Sequence, residues 1–465
     1  MRVLFIQNNP LDESQALIEL AGFLQSQGHS CSLLLDTVEK QLVDAARQAS
    51  PHLVVVACSM LNHGWARSVA TQLKDALGTP VLMAGTAPTV YPDMLLNSGV
   101  DFIVRGEAEL PILAVLESLS STGDPSGANA IPGVFSQTNG HWEGTPAGSA
   151  IDIGRIPVAD KNLYYERYPF MRAFPFKRFL TSRGCYHNCS YCYIPALNKV
   201  QGGRSKKVRR KDPAQAVEEV AMEAASGPLT HVHFSDDLFT NDPDWLDEFA
   251  ALYAQRVGIP FTCNTSAELV SNRVAKALAT AGCFSIGFAV ETASQEVRNK
   301  VLRKGVTTEL VRQAAENLHR HQVKITTFNM IALPGETPDQ ALETAQLNAE
   351  IGTDFVRLNY AFPMPGTGMC DYATQNGYLS EGWPQKFGRT DFRYAPGPQF
   401  KTPHRKEFEN LFVLFRWAAS SVKAVPTVKR LLSAPTPKAV QRMLTLQGAW
   451  NEKRSCHHPC LRHPS

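Results

Sequence analysis

The chain has 465 residues, 44% of them hydrophobic and 19% charged, enough apolar material for two or three cored domains and too much for global disorder. Its formal charge of +3 is near balance and favours no polyanionic partner, and no apolar run approaches the ~20 residues of a membrane helix. The 31 Gly and 30 Pro follow no period, which excludes a collagen-like chain.

The start, Met1 to Asn8, turns polar too soon for a signal peptide and reads as a buried strand, Val3–Ile6. A reducing, cytoplasmic setting is therefore expected, and with it free cysteines rather than disulfides. Further short apolar runs follow at Cys31–Leu35, Leu53–Ala57, Val81–Ala84 and Phe102–Val104. Helical spacings at Gln15–Gln27 and His63–Leu77 separate them. Such alternation predicts a parallel sheet covered on both faces, with any ligand beyond the carboxyl ends of the strands. Residues 1–125 form this Rossmann-like unit. Residues 126–175 read as a linker with a small hairpin turning at Asn139-Gly140. A second α/β region, 176–376, has strand candidates Arg178–Thr181, His231–Phe234, Phe261–Asn264, Ser285–Val290, Lys324–Ile331 and Phe355–Tyr360. Six strands are too few for a closed eightfold barrel and suit a partial (β/α)6 one. Residues 377–465 read as a helical region, including Lys406–Ser421, with a frayed end.

The chemistry concentrates in Cys185-Tyr186-His187-Asn188-Cys189-Ser190-Tyr191-Cys192, directly after a strand. Three thiols on one loop favour zinc or iron–sulfur. Structural zinc needs four closed ligands, and only His187 lies near as a fourth. A cubane held by three thiolates leaves one iron open to a small molecule. A zinc knuckle or three incidental buried cysteines are the plainer readings of the same residues.

Cys185, Cys189, Tyr191 and Cys192 match the Cys-x3-Cys-x-aromatic-Cys hallmark of the radical S-adenosylmethionine enzymes, and the chain resembles that family. The resemblance implies a 4Fe–4S cluster whose unique iron chelates S-adenosylmethionine, and reductive cleavage to a 5′-deoxyadenosyl radical. It places Asp236 and Asp237, at the second strand end, near the methionine moiety; a helix cap explains the same residues. It places Glu291, in Phe288-Ala289-Val290-Glu291-Thr292, near ribose hydroxyls. Leu333-Pro334-Gly335-Glu336 and Pro363-Met364-Pro365-Gly366 match further family loops.

The first domain resembles the cobalamin-binding domain of one branch of that family. The likeness runs through Gly28-His29, Ala84-Gly85-Thr86-Ala87-Pro88-Thr89 and Arg105-Gly106-Glu107-Ala108-Glu109. It implies cobalamin held by Gly85, Thr86, Pro88, Gly106 and Glu107. The Asp-x-His-x-x-Gly motif that supplies a cobalt ligand elsewhere is absent, and His63 is read as a capping or solvated residue rather than a ligand.

The resulting expectation is an enzyme that methylates an unactivated carbon of a small molecule, using a 4Fe–4S cluster, S-adenosylmethionine, cobalamin and a one-electron donor such as flavodoxin or ferredoxin. The alternatives are a tetrapyrrole-cyclase-like radical enzyme, a transfer-RNA-modifying one and a non-catalytic cofactor-binding protein. The basic run Lys206 to Lys211 lacks interleaved stacking aromatics and reads as a solvated loop rather than an RNA contact. Cys31, Cys58, Cys263 and Cys283 read as core residues, and Cys456-His457-His458-Pro459-Cys460 as part of the unstructured end.

Overall fold

A computed structural model describes residues 1–10, 13–125, 127–158, 160–202, 207–380, 383, 387 and 397–433. The cysteine-histidine tail lies outside the described residues.

The first sheet has strands β1 (Arg2–Gln7), β2 (Ser30–Leu35), β3 (Leu53–Ala57), β4 (Val81–Ala84), β5 (Phe102–Val104), β6 (Val134–Thr138) and β7 (His141–Gly144), in the order β2-β1-β3-β4-β5-β6-β7. The first five pair in parallel, and β6 and β7 continue antiparallel. The parallel strands are continuous Leu, Val and Ile runs because helices cover both faces. The Asn139-Gly140 hairpin is therefore not free in a linker: it extends the first sheet, Phe102 facing Ser136 and Val104 facing Val134. The chain after it stays on the same domain, where Ile151, Ile153, Ile156, Tyr164 and Met171 join one face of the core.

The second sheet has β8 (Phe176–Phe179), β11 (His231–Phe234), β12 (Phe261–Thr265), β13 (Cys283–Glu291), β14 (Lys324–Ile331) and β15 (Phe355–Tyr360). All are parallel, in the order β15-β14-β13-β12-β11-β8. The edge strands β8 and β15 do not pair, so the barrel is open on one side. A short ribbon, β9 (Ser182–Arg183) with β10 (Arg209–Arg210), flanks it. β8 stops two residues earlier than the predicted Thr181. The reason is Asp236, whose carboxylate accepts from Thr181 N at 3.1 Å and Thr181 Oγ1 at 2.7 Å. Outside the barrel, Phe408, Leu411 and Phe415 of the helix Arg405–Ser420 bury against Leu358 and the helix Pro338–Glu350.

Cys31 is half-buried, and Cys58, Cys263 and Cys283 are buried, as expected of core residues. No helix among the described residues is long and apolar enough to cross a membrane.

Candidate active site

The cysteine loop leaves β9 at the carboxyl end of the barrel and runs into the helix Ile194–Val200. Its position is set from outside. Ser190 N donates to Leu302 O at 2.9 Å and Ser190 Oγ to Val301 O, both in a π-helical turn, Arg298–Leu302. Met369 N donates back to Ser190 O at 2.8 Å. π-turns inside helices recur at functional sites.

Burial is the largest influence on the three thiols and pushes Cys185 up to about 11 and Cys192 up to about 12, with Cys189 also raised. They are held as neutral thiols that only a bound cation would deprotonate. They sense one another's charge. Three neighbouring thiols on one loop suit a cluster with one open iron better than a four-ligand zinc site. His187 is no fourth ligand. Its Nε2 lies 2.9 Å from Glu268 Oε1, and both atoms are buried.

Behind the loop, Tyr191, Glu291 and Lys304 converge. Glu291 ends β13 after a register shift and adopts φ +61, in the left-handed region. A non-glycine residue there stores strain, as functional sites often do. Its buried carboxyl is raised by desolvation, opposed by Lys304 and by a hydrogen bond with Tyr191. Lys304 Nζ, itself buried, reaches Tyr191 Oη at 3.5 Å. Fully buried Arg298 fixes this corner: Nη2 donates to Thr292 O at 2.5 Å and Nη1 to Val306 O at 3.0 Å. Sequence reading missed Lys304 and Arg298, because a lone cation between a helix and a loop carries no motif.

The two aspartates separate. Asp236 is buried and accepts from Thr181 and Ser182, so it shapes the strand end. Asp237 is solvent-exposed yet flanked by protein. Burial, then Asp236, pushes it up to about 6, and its charge reaches Cys185 and Cys192.

In the first domain, Gly85 has φ +131, and a Cβ there would lie 2.3 Å from Cys58 O. Only glycine allows β4 to turn this close to the end of β3, and its backbone stays exposed for a large ligand. Thr86 Oγ1 accepts from Met60 N at 3.2 Å, and Pro88 is buried in the turn Thr86–Val90. This turn packs on the helix that follows Cys192, and Val90 meets Gly366 of the barrel so closely that a Cβ there would lie 2.6 Å from Val90 Cγ1. The strand-end loops of both sheets thus face each other. Open backbone at Gly85 beside the cysteine loop fits a corrin better than a sheet kept only for packing.

Glu107 is a correction. Arg209 Nη1 donates to its Oε2 at 3.0 Å, and Arg209 Nη2 also reaches Oε1. It pairs with the barrel. Gly106 N donates to Thr89 Oγ1 at 3.1 Å. The basic run is a second correction. Of its described residues, Arg210 stacks on Trp245 at 4.4 Å, and buried Lys211 lies 2.8 Å from both Glu19 and Glu219. Arg209, Arg210 and Lys211 thus face protein partners, whereas Lys207 is exposed and Lys206 lies outside the described residues. His63 is buried, not solvated. Its Nδ1 lies 3.1 Å from Met60 O, a backbone group of Phe387 hydrogen-bonds the ring, and Phe387 stacks on it at 5.0 Å. Its ring is held by backbone groups and by Phe387 rather than by water.

Residues 179–347 match the radical SAM superfamily, and residues 15–116 match the B12 binding domain. An uncharacterized methyltransferase of Pyrococcus horikoshii is 26% identical over 304 residues, 64% of each chain. The anaerobic magnesium-protoporphyrin IX monomethyl ester cyclase of Synechocystis is 23% identical over 320 residues, 66% of this chain and 62% of the cyclase. Both matches span less than two thirds of the relatives' own length. In fold, the chain is similar to the radical S-adenosylmethionine methyltransferase TsrM of Kitasatospora setae, solved with cobalamin and a [4Fe-4S] cluster, with TM-score 0.69 and 16% identity, covering 97% of this chain and 99% of that one. It is also similar to the cobalamin-dependent radical enzyme OxsB, with TM-score 0.71 and 13% identity, covering 98% of this chain and 71% of that one. The hallmark cysteines at the mouth of an open parallel barrel, the facing strand-end loops and the two domain matches agree, and the chain belongs to the radical S-adenosylmethionine enzymes that carry an amino-terminal B12-binding domain.

Proposed function

We propose that the protein is a cobalamin-dependent radical methyltransferase acting on an unactivated carbon of a small molecule. The observation that carries this reading is the packing of the Gly85–Val90 turn against the helix that follows Cys192, because methyl delivery to a radical needs both cofactors on one shared, dry cavity. When bound, the cluster and S-adenosylmethionine supply the radical that takes hydrogen from the substrate, and cobalamin supplies the methyl group.

Cys185, Cys189 and Cys192 hold the cluster. Lys304 offers an ammonium to the carboxylate of S-adenosylmethionine, and Glu291 accepts from its ribose hydroxyls. The Gly85 backbone and Thr86 meet the corrin or its tail, with no protein ligand to cobalt. The inner face of the barrel sheet presents Arg178, His233, Asn264, Arg357 and Asn359, with Glu291 at the end of β13 as its acidic group. His233 is pushed down to about 4 by burial and by Arg178, so it serves as a neutral polar group. A small polar or anionic substrate suits this lining. A flavodoxin- or ferredoxin-like electron donor and a reducing cytoplasmic setting complete the reading.

The test is anaerobic turnover with methyl-labelled S-adenosylmethionine, screened by mass spectrometry over small polar and anionic candidates. Methyl transfer gives a labelled product, with S-adenosylhomocysteine and 5′-deoxyadenosine near one to one. Turnover with 5′-deoxyadenosine and no label in the product favours ring formation instead, the reaction class of the Synechocystis relative.

A further inference from the structure

Between the domains lies an array of charges that cofactor binding does not use. Glu19 comes from the helix Gln15–Ser26, Glu107 from the turn after β5, and Glu109 from the start of the helix Glu109–Thr122 that this turn enters. Arg183 on β9, Arg209 on β10, and Lys211 with Glu219 complete it from the barrel side. Arg183 Nη2 lies 2.5 Å from Glu19 Oε2 and 2.7 Å from Glu109 Oε1, and Arg183 Nη1 lies 3.9 Å from Glu107 Oε2. The Glu19, Glu109, Lys211 and Glu219 side chains are at most 4% exposed.

Two features make this more than adhesion between domains. Arg183 stands two residues before Cys185, on a strand held in register by Arg209, and both arginines are gripped by carboxylates of the other domain. On the far side, the same turn is tied to the cobalamin loop. Gly106 N donates to Thr89 Oγ1 at 3.1 Å, Thr89 Oγ1 donates to Gly85 O at 2.7 Å, and Arg105 Nη2 donates to Thr89 O at 3.3 Å. Polar contacts joined by short stretches of backbone therefore connect Gly85, through Thr89, Gly106, Glu107 and Glu109, to Arg183, two residues before Cys185. Glu109 Oε2 is buried without a partner, so the array is not fully satisfied as a static joint.

We propose that Arg183 is a positioning residue for the cysteine loop, and that the Gly106–Glu109 turn is a carboxylate latch coupling occupancy of the B12-binding loops to the cluster. The proposal rests on the two-cofactor reading above but not on methyl transfer. A ligand that shifts Gly85–Thr89 must shift the carboxylates that orient Arg183. A guanidinium, planar with fixed donors, transmits orientation as well as charge, and lysine does not replace it. Coupling between binding sites is reciprocal, so the cluster changes cobalamin affinity by the same factor as cobalamin changes the cluster's.

The experiment uses the full chain, with and without a reconstituted cluster. Hydroxocobalamin is titrated by its visible absorption, and the reduced cluster is followed by electron paramagnetic resonance with and without cobalamin. In the wild type, affinity is expected to differ between cluster-loaded and cluster-free protein by at least about 5-fold, and the cluster spectrum to change when cobalamin binds. Arg183→Lys and Glu109→Gln should bring the affinity ratio to about one and make the spectrum indifferent to cobalamin, while each cofactor still binds alone. Glu107→Gln, at a more exposed position, should give an intermediate ratio and serves if the buried variants misfold. A purely structural joint would lower the unfolding midpoint in these variants and leave the ratio intact, which overturns the proposal, as does a wild-type ratio of one. Wild-type protein that binds no cobalamin overturns the two-cofactor reading and the latch together.

Discussion

The two strand-end surfaces that face each other here use their motif residues in opposite ways. At the barrel mouth, Cys185, Cys189, Cys192, Tyr191, Glu291 and Lys304 are gathered at one place and left for ligands, and their supports are outside the motif, in Arg298 and the π-helical turn. At the edge of the first domain, Thr89, Gly106, Glu107 and Glu109 are the motif, and they hold the cobalamin loop and the barrel together. A short conserved-looking pattern can thus mark chemistry or docking, and the partner atom decides which. The charged segment Arg209 to Lys211 teaches the same lesson: Arg209 and Lys211 meet carboxylates and Arg210 lies on Trp245.

The largest effect that can break this contrast is at the cysteines. Replacing any of Cys185, Cys189 or Cys192 with Ala should take iron from about four per reconstituted chain to near zero, while cobalamin binding persists. Iron retained in full by all three single variants would refute the cluster assignment. Next comes the buried array. Lys211→Met leaves Glu19 and Glu219 without their shared cation and should destabilise the fold by about 3–5 kcal/mol, read from the denaturant midpoint. A loss below about 1 kcal/mol would mean the array is open to water.

Glu291→Ala should weaken S-adenosylmethionine by about 1.5–3 kcal/mol, the worth of a hydrogen bond to a charged group, with cobalamin affinity unchanged in calorimetry. Equal loss of both ligands would place Glu291 in folding rather than in the site. Glu336 gives a pH signature. Burial pushes its carboxyl up to about 8, against hydrogen bonds from Leu333 N and Thr292 Oγ1. The folded state keeps a proton that the unfolded state releases near pH 4.5, so this group's contribution is fully present below that value and is lost as pH rises to about 8. Stability should fall across that window in the wild type, and the fall should flatten in Glu336→Gln; identical profiles would show that another group sets the slope. The smallest effect is at His63. With its ring engaged by Met60 and Phe387, His63→Ala should leave the cobalamin spectrum unchanged, and a spectral shift would show cobalt ligation.

Much of the fold was legible in advance because it rests on local periodicity. The runs Leu53–Ala57, Val81–Ala84, Phe102–Val104, His231–Phe234, Lys324–Ile331 and Phe355–Tyr360 are strands to the residue; the first three are continuously apolar because both faces are covered, and the barrel strands His231–Phe234 and Lys324–Ile331 alternate because one face packs on helices. The cysteine loop was legible for a related reason: three ligands within eight residues state their own geometry. The hairpin misled because an Asn-Gly turn shows that two strands meet but not which sheet they join, and β6 found its partner in β5.

The sequence by itself determined the two α/β units and the thiol set, because both depend on spacings shorter than one supersecondary element. Tertiary structure alone decided that Asp236 serves a strand end, that Glu107 and Glu109 face Arg209 and Arg183, and that Lys304 stands behind Tyr191. Those pairs are separated by tens to more than a hundred positions in the chain. A buried charge is stable only beside its counter-charge, and which counter-charge it meets is set by how the domains dock rather than by any pattern along the backbone.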